Sequence, residues 1–378
     1  MKAGTPARLK GLVVTSVTIY DIAKQAGVGL GTVSRVLNNN PHVRPETRAR
    51  VIGAMEELGY HPAAMARGLA RQRSDTIGVI VPFFTRPFFV EVLKGIQDAA
   101  LGYNKDIILY SVLQRGQKNV YFERIPRERK VDGAIVVTLR VHDEHVESFI
   151  RRGMPLVLVD TENAGADSLV VDNMHGAETA VRHLLSLGHR RIGFVNGLLR
   201  YRASQERLKG YQDGLRGAGI PYDPALVVET EYDRESGRAG MGKLWEQHWE
   251  RHTGRPPTAI FAASDVQAIG VIEFLQSKGI RVPQAVAVVG YDDIELSKYL
   301  GITTIRQPMY EMGRRAMELL VNRLEERRGS RPSSQSSPDG RPPTERIVFT
   351  PELVVRYSCG SRPAANGDPI SIRLFSDV

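Results

Sequence analysis

TIYDIAKQAGVGLGTVSRVL, residues Thr18 to Leu37, decides how the rest of the chain is read. Ile19, Ile22, Ala23 and Ala26 recur at the i, i+3, i+4, i+7 spacing that lines one face of a helix. Thr18 stands at the N-cap position with Asp21 three residues later, the spacing of a capping box. Gly27-Val28-Gly29 ends that helix, and a second carries Val33, Val36 and Leu37 inward. Its other face shows Leu30, Gly31, Thr32, Ser34 and Arg35, a sparse polar set with one cation. Two short helices about a glycine turn make either a helical hairpin inside a larger core or a helix-turn-helix, whose second helix enters the DNA major groove.

Charge bears on that choice. The chain of 378 residues carries a net charge of +9, and most of it lies at the front. Residues 1–73 hold 11 Lys and Arg against 4 Asp and Glu, whereas the remaining 305 residues hold 40 against 38. A basic head on a near-neutral body suits a polyanionic partner. The single cysteine, Cys359, excludes an intrachain disulfide framework and a cysteine-based zinc site. The apolar stretch Gly11–Val14 is too short for a signal peptide, and no apolar run reaches the ~18 residues of a membrane span. The expected compartment is the cytoplasm, with no membrane partner.

Outward from the paired helices, Asn38-Asn39-Asn40-Pro41 is a turn signal, and Pro45 and Glu46 suit the start of a third helix. Val51, Ile52, Met55 and Leu58 are its expected apolar face, with Gly59 as its stop. The expected division is a basic arm over 1–16, a helix-turn-helix head over 17–61, a hinge segment over 62–74, a body over 75–359 and a loose tail over 360–378. From Thr76 short apolar runs recur, among them Ile77–Val81, Ala134–Val137, Leu156–Val159, Ile192–Val195, Ala259–Ala262 and Val286–Val289. Amphipathic helical stretches such as Phe88–Ala100, Gln205–Ala218 and Ser264–Lys278 separate them. Alternation of this kind predicts parallel sheets covered by helices, and the number of units predicts two doubly wound lobes with a ligand crevice at the carboxyl ends of the strands. The fold class is thus α/β, a small all-α head on a two-lobed body completed by a helix around Tyr310–Arg328 and a strand around Ile347–Val355. Gly329–Pro343 between them reads as a mobile loop. No phosphate-binding loop, nucleophile elbow or His-Glu-x-x-His sequence occurs, and the Asp292-Asp293 pair has no complementary base or ligand cluster. No catalytic residue, metal or cofactor is expected.

This order of parts resembles the LacI/GalR family of transcriptional regulators. The similarity rests on VTIYDIAKQAGVGLGTVSRVLNNNPHVRPETRARV and LGYHPAAMARGLA in the head, and on IGVIVPFFTRPFFVEVLKGI, VDNMHGAETAVRHLLSLGHRRIGFVNG, RLKGY, FAASDVQAIG, VVGYDDIELSKYL and TTIRQPMYEMGRRA in the body. It spans about Val17 to Cys359. The resemblance implies that Leu30, Gly31 and Arg35 face base edges, Arg35 being suited to a bidentate contact with guanine. It implies phosphate contacts from Thr18, Tyr20, Thr32, Ser34 and Asn38, with His42 and Arg44 also near the DNA backbone. Leu69 matches the hinge leucine that wedges into the minor groove. Gly29 and Arg44 replace the serines usual before the second and third helices, and Ala63 replaces a hinge asparagine. In the body the resemblance implies a small effector between the lobes, contacted by Phe88, Phe89, Arg207 and Asp292, with Ser264 and Tyr201 as weaker matches. An Arg and an Asp facing an aromatic floor suit a polyol.

The resulting expectation is a sequence-specific repressor that binds a pseudo-palindromic DNA operator as a homodimer and is controlled by a carbohydrate effector. A nucleoside or purine effector, or a phosphoprotein co-regulator, is the next choice. A transport solute binder and an enzyme on the same scaffold are the competing classes.

Overall fold

The computed structural model describes residues 17–37, 40–60, 73–114, 116–251, 255–327 and 343–361. The chain divides into two compact units between Asp75 and Thr76. In the first, α1 (Ile19–Ala26), α2 (Leu30–Leu37) and α3 (Pro45–Glu57) enclose Ile22, Ala23, Ala26, Val33, Val36, Val51 and Ala54. The Asp21 carboxylate accepts from the amide and the hydroxyl of Thr18 at 2.8 and 2.7 Å, closing the start of α1. The Thr18 hydroxyl bond, followed by its backbone bond, holds the Asp21 carboxyl below its ordinary pKa. Gly27, at φ +60°, makes the left-handed turn that ends α1. Arg50 reaches back from α3 to the carbonyls of Ala26 and Gly27, pinning that turn. On α3, Ile52 is exposed rather than part of the apolar face; Val51 is buried there, and Ala54 joins it in place of Ile52. Each residue rotates the side chain by ~100°, so 51, 54, 55 and 58 share a stripe that 52 leaves.

The second unit holds two six-stranded sheets. The first lobe contains β1 (Thr76–Pro82), α4 (Pro87–Gly102), β2 (Asp106–Val112), α5 (Gln117–Glu128), β3 (Gly133–Val137), α6 (Asp143–Arg151), β4 (Leu156–Val159) and β5 (Asp167–Val171). The second contains α7 (Asn173–Ser186), β6 (Ile192–Gly197), α8 (Arg202–Gly217), β7 (Val227–Thr230), α9 (Arg234–Trp245), β8 (Ala259–Ala262), α10 (Asp265–Ser277), β9 (Ala287–Asp292), α11 (Glu295–Tyr299) and β10 (Thr303–Arg306). Then α12 (Met309–Glu326) packs back on the first lobe, β11 (Arg346–Phe349) pairs with β5 there, and β12 (Glu352–Val354) pairs with β10 in the second. The strand orders are β11-β5-β4-β3-β1-β2 and β12-β10-β9-β8-β6-β7. Every pair is parallel except β10 with β12.

The chain therefore passes between the lobes three times, after β5, after β10 and after β11. The last passage corrects the expected single strand over Ile347–Val355. Thr350-Pro351 divides it into β11 and β12, which belong to different sheets, because a proline has no N–H to continue a ladder. Strand residues buried on both faces, such as Gly133–Val137 and Leu156–Val159, explain why these strands read as continuous apolar runs. Among the described residues no helix is long and apolar enough to cross a membrane. The expected basic arm, the hinge residues Ala63 and Leu69, and most of Gly329–Pro343 lie outside the described residues.

Candidate functional site

The outward face of α2 is built by subtraction. Val33 and Val36 are buried and fix the roll of the helix, so Leu30, Gly31, Ser34 and Arg35 stand exposed together, with Thr32 half-buried at their edge. Leu30 is a large apolar residue left 39% exposed at the first turn. Gly31 has open space where a Cβ would stand, and so does Gly29. Tyr20 projects from α1 at 68% exposure, and exposed Thr18 is near it in sequence. His42 and Arg44 are exposed on the turn before α3, where the Asn40 side chain accepts from the His42 amide at 2.9 Å. Arg44 stands at the N-cap of α3 without capping it. Of the expected set, Asn38 and Leu69 lie outside the described residues.

A cavity of about 490 Å³ opens between the two lobes. It lies at the carboxyl ends of the strands, where helix N-termini begin. Phe88, Phe89, Arg207, Ser264, Asp292 and Tyr201 all line it. Phe88 and Phe89 meet edge to face, with centroids 5.3 Å apart. Phe89 is also part of the core of the first lobe, whereas Phe88 is half-buried.

Arg207 is 3% exposed and held in place by its neighbours. Its Nε donates to Asn173 Oδ1 at 2.9 Å, a terminal nitrogen donates to the Ala263 carbonyl, and the guanidinium lies 3.8 Å over the Tyr291 ring. Burial opposes its charge, but Tyr232, Tyr291, Asp292 and Asp160 more than offset that. Burial pushes the Asp292 carboxyl up to about 8, with Arg207 opposing. Gln307 Nε2 donates to Asp292 Oδ1 at 2.6 Å. Ser264 caps α10, its hydroxyl accepting from the Gln267 amide and donating to Gln267 Oε1 at 2.9 Å, so its polar capacity is largely spent on the helix.

Several cavity residues escape sequence reading: Thr138, Asp160, Tyr232, Gln307, Arg86 and Lys118. Asp160 receives the Thr138 hydroxyl at 3.2 Å, and burial pushes its carboxyl up to about 6 against the pull of Arg207 and Arg202. Phe83, Thr138, Asp160, Asp292 and Asp293 all have positive φ, clustering left-handed backbone at the strand ends around the cavity. The signal that could have found Thr138, Asp160 and Gln307 is position: each directly follows a parallel strand. Asp265 is a supporting group, taking the Thr304 hydroxyl at 2.6 Å and the Ile294 amide at 3.0 Å, which fixes the loop that carries Asp292. Asp293 is tied to Arg306 and Arg356 at 2.7 and 2.6 Å, an ion-pair role. Among the described residues no group of three or more His, Cys, Asp or Glu is placed to hold a metal ion.

Residues 18–63 match the profile of bacterial regulatory proteins of the lacI family, and residues 181–359 match that of a periplasmic binding protein-like domain. The chain is 38% identical to catabolite control protein A of Priestia megaterium over 312 residues, covering 81% of this chain and 92% of that protein. Among solved structures it is similar to a lac repressor dimer bound to operator and an anti-inducer, with 26% identity, a TM-score of 0.76, and coverage of 91% and 99% of the two chains. It is also similar to the regulator CelR in complex with cellobiose, with 30% identity, a TM-score of 0.66, and coverage of 90% and 99%.

Proposed function

Because the chain belongs to the LacI family of bacterial regulatory proteins, we propose that it represses transcription as a homodimer on a pseudo-palindromic operator, under the control of a carbohydrate held in the inter-lobe cavity. Membership in that family makes it a DNA-binding transcriptional regulator and not an enzyme. The match over residues 18–63 also removes the alternative of a transport solute binder with no DNA role.

The observation that carries the effector reading is the cavity itself. Phe88 offers an apolar ring face, with buried polar groups from Arg207 and Asp292 and a half-buried carboxyl from Asp160 around it. A sugar ring presents one apolar face and a rim of hydroxyls, so this lining suits it. A related regulator is known with cellobiose bound. On the head, Arg35 is the one long cationic side chain on the exposed face of α2, so it is assigned to base reading, while Thr32 and Ser34 are assigned to phosphate.

The test is a fluorescence-anisotropy titration of the protein on DNA from upstream of its own gene, with and without candidate sugars. Arg35→Ala should relax base preference at one position of each half-site by about 1–3 kcal/mol. Thr32→Ala should weaken all sequences about equally. Equal relaxation by both variants contradicts the assignment, and binding that is salt-sensitive but blind to sequence contradicts the operator reading.

A further inference from the structure

We infer that Gln307 reads the ligand of the cleft and is the point at which a bound ligand acts directly on a crossover between the lobes. This rests on the cleft reading above. Gln307 is 3% exposed, lines the cavity, and occupies the passage from β10 in the second lobe to α12 on the first. Its Oε1 is buried and accepts no hydrogen bond from the protein. A buried amide oxygen without a donor is uncommon, and here its residue borders a cavity.

The amide is oriented by its other end. Nε2 donates to Asp292 Oδ1 at 2.6 Å, and an ionised carboxylate only accepts. The reverse orientation would set oxygen against oxygen at that distance unless Asp292 carried a proton. With Asp292 ionised, which requires a pH above the value of about 8 to which burial pushes it, Oε1 is the acceptor left to meet a ligand, which must then supply an O–H or N–H donor at that place. Asp292 accepts and Gln307 accepts, so the pair discriminates in favour of adjacent donors, as vicinal hydroxyls provide.

The same residue is held by its backbone to both sides of the passage. Its amide donates to the Asp292 carbonyl at 3.3 Å at the end of β9, and its carbonyl accepts from the Met309 amide at 2.9 Å at the start of α12. A hydrogen bond to Oε1 thus ties the ligand to the segment whose dihedrals must change if the lobes move. Arg207 and Phe88, by contrast, each belong to a helix within one lobe.

The experiment compares wild type with Gln307→Met and Gln307→Leu in calorimetric titrations of D-ribose, D-glucose, cellobiose and adenosine, together with monodeoxy analogues of those that bind. Measurement at about pH 9, above the value of about 8 to which burial pushes Asp292, keeps that carboxyl mostly ionised. Circular-dichroism melting confirms that at least one variant is folded. A probe that binds wild type should bind the variants roughly 3- to 10-fold more weakly. One monodeoxy analogue should lose that difference, binding wild type and variant alike, and the probe should change operator affinity less in the variants than in wild type. Equal loss for every analogue in wild type and variant overturns the inference while leaving the cleft reading intact. No binding by any probe overturns both.

Discussion

Replacing Asp160 by asparagine should change how the stability of the body depends on pH, with a sign fixed by burial. Asp160 has its pKa moved from 3.8 to about 6, chiefly by burial, with Arg207 and Arg202 opposing. A carboxyl with a raised pKa in the folded state holds its proton more tightly there than in the unfolded chain. Between about pH 4 and pH 6 the folded state retains a proton that the unfolded state releases, so stability falls as pH rises through that window. The move from 3.8 to about 6 corresponds to about 3 kcal/mol of stability present at acid pH and lost above pH ~6. The carboxamide introduced by Asp160→Asn would resemble the protonated side chain, keep an oxygen to accept from Thr138, and not titrate. Asp265 and Asp292 are displaced in the same direction by burial; Asp265 remains in each protein and cancels from the difference, whereas removing the Asp160 charge also eases Asp292 downward, which adds to the gain with the same sign. Urea unfolding followed by circular dichroism, from acid to neutral pH at constant ionic strength, gives the difference directly. Asp160→Asn should gain on wild type by about 3 kcal/mol across the window. Parallel stability curves for the two proteins would refute the raised carboxyl and, with it, the enclosed character of that side of the cavity.

Two further outcomes concern the head. Gly31→Gln should leave head stability within about 0.5 kcal/mol, because nothing stands within 4 Å of the new Cβ, while adding a polar reader that shifts base preference in a binding-site selection. A melting temperature lowered by many degrees, or an unchanged site logo, would count against the exposed reading face. Arg50→Ala removes the donor to the carbonyls of Ala26 and Gly27 and should destabilise the head by about 1–3 kcal/mol, lowering affinity for all DNA sequences together, as read by melting and anisotropy. A selective loss at one base position would mean that Arg50 itself reads DNA.

How far the sequence discloses this protein depends on whether function follows from periodicity or from convergence. The α1–turn–α2 unit is legible because burial of Ile22, Ala23, Ala26, Val33 and Val36 at helical spacing dictates which residues remain outside. The lobes are legible because strands covered on both faces become unbroken apolar runs. Ile52 is misplaced from sequence because a helix stripe is narrow, and two adjacent apolar residues cannot both occupy its centre. The division at Thr350-Pro351 is hidden because two short strands in tandem have the same local pattern as one, and only their partners, β5 and β10, separate them. Phe88, Arg207 and Asp292 are reached through family resemblance. Asp160, Thr138 and Gln307 carry no motif of their own, and they come together only because parallel strands from two sheets end at one crevice.

That convergence gives the cleft a particular mechanical character. The apolar cores of the two lobes are separate, so each lobe can move as a packed body. The cavity's polar groups, however, are tied to the passages between them. Asn173, at the first passage, accepts from Arg207 at 2.9 Å and donates to Glu206 at 3.1 Å, and Gln307, at the second, donates to Asp292 at 2.6 Å. Across the mouth, Arg86 of the first lobe approaches Asp233 of the second at 3.7 Å, and Arg202 approaches Glu162 at 3.4 Å. These exposed pairs are worth little individually, about 0–1 kcal/mol each. They bias lobe position without fixing it, so a ligand that engages the buried groups need supply only a modest differential affinity to favour one arrangement. A cleft sealed by apolar contacts would require far more. Control by a small ligand with both an apolar face and a polar rim therefore follows from where the residues lie: the buried polar groups at the strand ends and crossovers, beside apolar lining residues such as Phe88, Leu139 and Val266.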